Sequence, residues 1–206
     1  QIEWVRAEAP EEVDDTVVVW SRGMCEYIQA KLSVEPGTPA WDGMWAHFYR
    51  QYQSPDFKKE LPGDVITLAA NYAPRLEELK TALGRTENSQ DAAEWLGRLT
   101  QEQIKILEKV KTSAGIEDDA GLFAFVKYVR VWLLHFEGDP QETDSFERET
   151  CKILQGVVSP LENVFAVLIE MVGKDSRVRG SWRREDVLKE LARKKIHILA
   201  HEKPAP

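Results

Sequence analysis

Four histidines are the first residues to question for chemistry: His47, His135, His197 and His201. His197 and His201 stand four apart, a spacing that puts two imidazoles on one helix face, where they could share a metal ion. A zinc-protease helix would also carry Glu directly after the first His, and this chain has Ile198 there. Glu202 lies about 100° round a helix from His201, so it completes no ligand set. His135, between Leu134 and Phe136, reads as a packed, hydrogen-bonded histidine. His47 reads as exposed. No G-x-S-x-G, Gly-rich phosphate loop or C-x-x-C occurs. The carboxylate pairs Glu11/Asp15 and Glu77/Glu78 lack a His at the spacing of a di-metal site. The expectation is a protein that is not an enzyme, with no catalytic residue, metal or cofactor.

Two clusters remain. From Lys174 to Lys203, ten Lys or Arg face five Asp or Glu, a local +5, which leaves 17 against 30, or -13, for the rest. Arg177, Arg179, Arg183 and Arg184 surround Trp182, and Lys194 and Lys195 follow. Arginine forks clamp phosphate or carboxylate and stack on rings. This segment is predicted to bind an acidic protein partner, the acidic body of another copy, or an anionic lipid headgroup. The plainer alternative is a solvated loop with Trp182 packed inward. The second cluster is Trp41, Met44, Trp45, Phe48, Tyr49 and Tyr52. On a helix these side chains share one face. Such a face anchors a core, or it offers an aromatic groove lined by Trp41, Trp45, Phe48, Tyr49 and Tyr52.

The elements that must position these residues read as helices. Thr38 is a good N-cap and Pro39 suits the first helical position. Upstream, Val13, Val17, Trp20, Met24, Ile28 and Leu32 recur at helical spacing from Pro10 on. Asp64 is read as the cap of a helix carrying Val65, Leu68, Ala69 and Tyr72, kinked at Pro74 and running on to Gly84. Asp91 to Leu96 is a short helix. Thr100 and Gln103 form a capping box for a helix that stops near Gly115. Asp118 or Asp119 caps the next, lined by Leu122, Phe125, Val126, Val129, Leu133 and Phe136. A long apolar pattern fills Asp144 to Val172, and a last helix starts at Ser181. No strict apolar alternation predicts a sheet. The expected fold class is therefore all-α: one bundle of about seven to nine antiparallel helices, several kinked or broken at proline. Residues 1–9 would be an N-terminal extension, 10–172 the bundle body, 173–201 a basic loop and C-terminal helix, and 202–206 a linker-like tail.

The 206 residues carry a net charge of -8, which argues against nucleic acid as a partner, because phosphate neutralisation dominates such binding. Cys25 and Cys151 are expected as reduced, buried thiols. No stretch is long and apolar enough for a transmembrane segment, and an intracellular, cytoplasmic location is expected. The missing initiator Met suggests a fragment of a larger multidomain protein. The functional expectation is a non-enzymatic helical protein-interaction module, a scaffold or adaptor that binds a protein partner or self-associates. The alternatives are peripheral membrane or phosphoinositide binding through the basic segment, and a small-ligand carrier or enzyme with a pocket beside the aromatic helix.

Overall fold

The computed structural model describes residues 2–7, 12–13, 15–20, 23–60, 63–134, 158–159, 167 and 181–198. Its frame is a sheet, so the all-α bundle expected from periodicity is corrected to a mixed α/β fold. Residues 1–9 are no extension: Ile2–Ala7 is strand β1, paired on both sides. The helix expected from Pro10 is replaced by two strands, β2 (Thr16–Trp20) and β3 (Met24–Lys31). Thr16-Val17-Val18-Val19-Trp20 is β-branched and aromatic throughout, which suits a pleated surface better than a helix. The helix expected after Asp64 is β4 (Val65–Asn71), and the far half of the Asp118 helix is β5 (Val129–Leu134). Short buried strands run apolar without alternation, and periodicity alone cannot separate them from buried helix.

The remaining elements are helices α1 (Pro39–Gln53), α2 (Pro74–Gly84), α3 (Ala92–Gly97), α4 (Gln101–Ala114), α5 (Asp119–Val126) and α6 (Arg184–Arg193). A 3₁₀ turn at Arg85–Asn88 follows α2. Short strands β6 (Val158–Ser159), β7 (Ser181–Arg183) and β8 (His197–Ile198) complete the description. The long apolar pattern expected as helix over 144–172 falls almost wholly outside the described residues.

Six strands form one sheet in the order β5-β4-β3-β2-β1-β7, and β6 pairs with β8 apart from it. The pairs β3/β4 and β4/β5 are parallel, whereas β1/β2, β2/β3 and β1/β7 are antiparallel. A parallel neighbour needs a crossover. Helix α1 supplies it from β3 to β4, and α2 to α5 supply it from β4 to β5. Each step moves one strand over in the same direction. Right-handed crossovers then place both sets of helices on one face of the sheet.

That face carries the core. Val17, Val19, Tyr27, Ile66, Leu68, Ala70, Val129 and Val131 from the strands meet Trp41, Trp45 and Phe48 of α1, Leu76 and Leu79 of α2, Leu107 and Val110 of α4, and Phe125 of α5 in one cluster. The registers Tyr27↔Ile66 and Ile66↔Val129 show that these strand residues lie on the same side. Opposite them, Val18, Glu26, Val65, Thr67 and Ala69 are buried on the second face. Glu26 is satisfied there by the Thr67 hydroxyl, which donates to Oε1 at 2.7 Å.

Local signals fix where the helices begin. Thr38 Oγ1 accepts from Trp41 N at 3.3 Å, and Pro39 opens α1. Asp118 Oδ1 accepts from Gly121 N at 2.6 Å to open α5. The Thr100/Gln103 capping box forms with both bonds, and Gly115 ends α4 at φ 70°. Pro74 does not kink a helix. It starts one, at the position where its missing N–H costs nothing.

Candidate functional site

The aromatic helix supplies core, not groove, for most of its length. Trp41, Trp45 and Phe48 are each 0 % exposed. Trp45 meets Phe125 edge-on, with ring centroids 6.2 Å apart at 88°. The indole N–H groups of Trp41 and Trp45 are buried without a hydrogen-bond partner among the described residues. An orphaned donor costs about 1–3 kcal/mol. Burying a ring of about 200 Å² returns roughly 5 kcal/mol, so ring burial wins. Tyr49 and Tyr52 are partly buried and complete a ring cluster with Phe57, Phe125 and Tyr128. Lys59 Nζ stands 4.0 Å from the Tyr52 ring centroid. Burial, and then the neighbouring Tyr128 and Tyr49 hydroxyls, push the Tyr52 phenol above its ordinary value.

Of the basic cluster, the described residues lie on β7 and at the two ends of α6. Ser181–Arg183 is an outer strand of the sheet, with Trp182 opposite Val5 of β1. It is therefore no loop. Arg183 is exposed, and its backbone N–H donates to Asp186 Oδ2 at 2.9 Å, which caps α6. Arg184 is the first residue of α6, and Lys194 and Lys195 end it, Lys195 in the left-handed region at φ 59°. Arg177 and Arg179 lie outside the described residues. Of the histidines, His47 is half-exposed, with Nδ1 2.9 Å from the Glu12 backbone oxygen. The backbone of His197 pairs in β8 with Ser159. His135 and His201 lie outside the described residues, as does Cys151. Cys25 is half-buried on β3, and its N–H donates to Asp64 Oδ1 at 2.8 Å.

A cleft of about 360 Å³ lies where the carboxyl ends of β3 and β4 lead into the helices. Pro36 comes from the β3–α1 loop. Pro74, Arg75 and Glu78 come from the start of α2. Glu102, Lys105, Ile106 and Lys109 come from α4. In open α/β sheets this end of the parallel strands is where ligands bind. Three cations and two carboxylates share its lining with Pro36, Pro74 and Ile106. Lys109 Nζ donates to the Pro36 carbonyl at 2.9 Å. Arg75 and Lys105 make no ion pair among the described residues.

The N-terminus of α2 adds to this charge. Its N-cap is Ala73, which has no side chain to accept from the first turn, whereas α1, α3, α4 and α5 are all capped by side chains. Leu76 N and Glu77 N both turn back to the Ala73 carbonyl. Pro74 has no N–H, so what this helix start offers an anion beside the cations is its dipole and the Arg75 N–H.

Charge at Glu78 is set from behind. Gln103, 2 % exposed, donates from Nε2 to Glu78 Oε2 at 2.9 Å. Its Oε1 accepts from Arg85 Nη1 at 3.0 Å and from Thr100 N at 3.1 Å. The same Gln103 closes the capping box of α4, so the helix start and the cleft wall are one construction.

A second, wider cleft of about 650 Å³ lies between Gln53 and Glu60, at the amino end of β4. Both of its lysines are held, Lys58 by the Gly23 carbonyl and Lys59 by the Tyr52 ring, whereas in the first cleft, among the described residues, only Lys109 is so held. The first cleft is the stronger candidate. Sequence reasoning passed over its residues because Pro74 read as a kink inside one helix and Arg75, Lys105 and Lys109 belong to no contiguous basic run. The usable signal was Val65–Ala70, a continuous apolar run leading into Ala73-Pro74, which is a buried strand handing over to a helix.

No family model matches the chain, and no curated protein matches it. Solved structures do. One is the Cap4 SAVED/CARF-domain containing receptor of Acinetobacter baumannii with the cyclic trinucleotide 3′3′3′-cAAA, at 14 % identity and a TM-score of 0.57, covering 93 % of this chain and 42 % of that one. A second structure of that receptor matches at 14 % identity with a TM-score of 0.56, covering 93 % and 41 %. This chain thus has the fold of part of a SAVED/CARF-domain receptor and spans under half its length. The likeness replaces the helical-bundle expectation. It also corrects the partner expectation. The receptor that shares this fold holds a small cyclic trinucleotide, a different class of partner from the protein, second copy or lipid headgroup expected from the sequence. Among the described residues no helix is long and apolar enough to cross a membrane.

Proposed function

We propose that this chain is a ligand-sensing domain that binds a small cyclic oligonucleotide at the carboxyl ends of β3 and β4, and that it acts by binding, without a chemical step. The observation that carries this reading is the cleft itself. Arg75, Lys105 and Lys109 meet the uncapped start of α2 over an apolar floor of Pro36, Pro74 and Ile106. Phosphodiesters need the cations and the helix start, while bases and riboses need the apolar floor. The fold likeness supports the reading, because the receptor of this fold carries a cyclic trinucleotide.

Titration calorimetry of the 206-residue chain with 3′3′3′-cyclic triadenylate tests it. Saturable binding is expected, with the nucleotide recovered intact. Arg75→Ala with Lys105→Ala should weaken it about tenfold or more, since each charge-assisted bond contributes about 1.5–3 kcal/mol. The double variant should also flatten the salt dependence. Absence of binding by the parent chain, or an unchanged affinity in the double variant, would overturn this site.

A further inference from the structure

Glu78 and Glu102 are the lining residues that the anion-binding reading does not use, and Glu78 is the one held by a buried side chain. A carboxylate lining the same cleft as Arg75 and Lys105, in the second turn of α2, works against phosphate. Removing it would make a better general anion site. The fold nevertheless holds Glu78 firmly. Gln103 Oε1 takes two donors, Arg85 Nη1 and Thr100 N, so its amide cannot flip without setting its own N–H groups against both. Nε2 is thereby fixed toward Glu78 Oε2, 2.9 Å away. Gln103 is 2 % exposed, so the donor is buried in the core while the carboxylate it holds is exposed in the cleft wall. The result is a carboxylate in the cleft wall with its geometry set from inside the core and acceptor positions to spare.

Resting on the cyclic-oligonucleotide reading, we infer that Glu78 contacts a base and selects for one bearing an exocyclic amine, with Gln103 as its positioning residue. The chemistry separates the bases. Adenine and cytosine present an amino donor to a carboxylate, and guanine presents an amino and a ring N–H. Uracil presents one ring N–H between two carbonyl oxygens, which repel the carboxylate. A cleft of about 360 Å³ suits one nucleotide of a cyclic trimer, so one base can be read while the rest of the ring lies outside.

The test is the ratio of affinities for 3′3′3′-cyclic triadenylate and 3′3′3′-cyclic triuridylate, measured by calorimetry on the parent chain, Glu78→Gln and Gln103→Met. The parent chain should prefer the adenylate by about tenfold or more, the scale of one good base contact. Glu78→Gln keeps the shape, loses the charge and can both donate and accept. It should bring the two ligands to within about threefold, mainly by improving the uridylate. Gln103→Met leaves Glu78 in place but unheld, and should lower the ratio while leaving the phosphate contacts intact. A purely structural role for Gln103 would weaken both ligands equally and leave the ratio unmoved, which would overturn its positioning role. Glu78 is exposed on α2, so Glu78→Gln should stay folded even if Gln103→Met does not, and the base contact is then judged on Glu78→Gln alone. Equal affinities in the parent chain, or a ratio unchanged by Glu78→Gln, would overturn the inference and leave the cyclic-oligonucleotide reading standing. Failure of the parent chain to bind either ligand would sink both.

Discussion

Tyr52 shows how one residue inherits its chemistry from packing. It sits at the end of α1, where Tyr49, Phe125 and Tyr128 crowd it and Lys59 covers its face. Burial disfavours the phenolate, and the neighbouring tyrosines add to that, so the folded-state value lies above the ordinary 10.0. The unfolded chain therefore gives up this proton first as pH rises. Above the unfolded value the native state holds more protons than the unfolded state, and stability falls with pH. Thermal melts from pH 9 upward should show a steepening loss near and above pH 10, and Tyr52→Phe should make the decline shallower. A parallel decline in the two proteins would show that Tyr52 titrates as it does in the unfolded chain. The residue also marks what was legible at this scale. That α1 is amphipathic and aromatic follows from the spacing of Trp41 to Tyr52. That its first three rings are sealed in the core depends on Phe125, Leu107 and the sheet, none of which is near in sequence.

Elements differ in how far local chemistry announces them. The starts of α1, α4 and α5 were readable because a cap is made by residues three apart: Thr38 with Trp41, Thr100 with Gln103, Asp118 with Gly121. The strands were not, because what makes Val65–Asn71 a strand is pairing with β3 on one side and β5 on the other. Buried from both faces, it shows no alternation to read. The loop between β3 and α1 turns on a feature of the same kind. Gly37 has φ 90°, and a Cβ built there would stand 3.2 Å from Lys109 Nζ, so a side chain that lines the cleft must give by a few tenths of an ångström. Gly37→Ala should lower stability by about 1–2 kcal/mol, since the left-handed region penalises any Cβ. It should also weaken cyclic triadenylate, by pushing Lys109 off the Pro36 carbonyl. Denaturant melts and the same calorimetry check both effects. A loss of stability with unchanged affinity would remove Lys109 from the site.

At the scale of the whole molecule, the cleft is a product of topology. Residue 36, residues 74–78 and residues 102–109 meet only because the crossover from β4 to β5 lays α4 beside α1 and α2. No contiguous motif could have shown this site, and the basic run around Trp182, which is contiguous, sits elsewhere. Strands β1, β2 and β3 separate β7 from β4, about 19 Å at the usual spacing. The same topology sets where the fold is most stable. β4 is paired on both sides, and its residues Val65 to Ala70 are all buried, whereas β7 is a three-residue outer strand with an exposed Arg183. Hydrogen exchange should therefore be slowest at Ile66–Ala70, where opening requires global unfolding, and much faster at Ser181–Arg183. Ligand then tests the coupling of site to scaffold. Binding to the native state alone raises global stability by about 2.7 kcal/mol at a free concentration of 100 times Kd. Cyclic triadenylate at that level should slow the β4 amides about a hundredfold, although they lie inside the sheet and touch no ligand. The Ser181–Arg183 amides exchange by local opening and should not change. Slowing confined to the start of α2 would mean that β4 opens without releasing the ligand. Exchange at Ile66–Ala70 as fast as at Ser181–Arg183 in the free chain would contradict the placement of β4 at the centre of the fold.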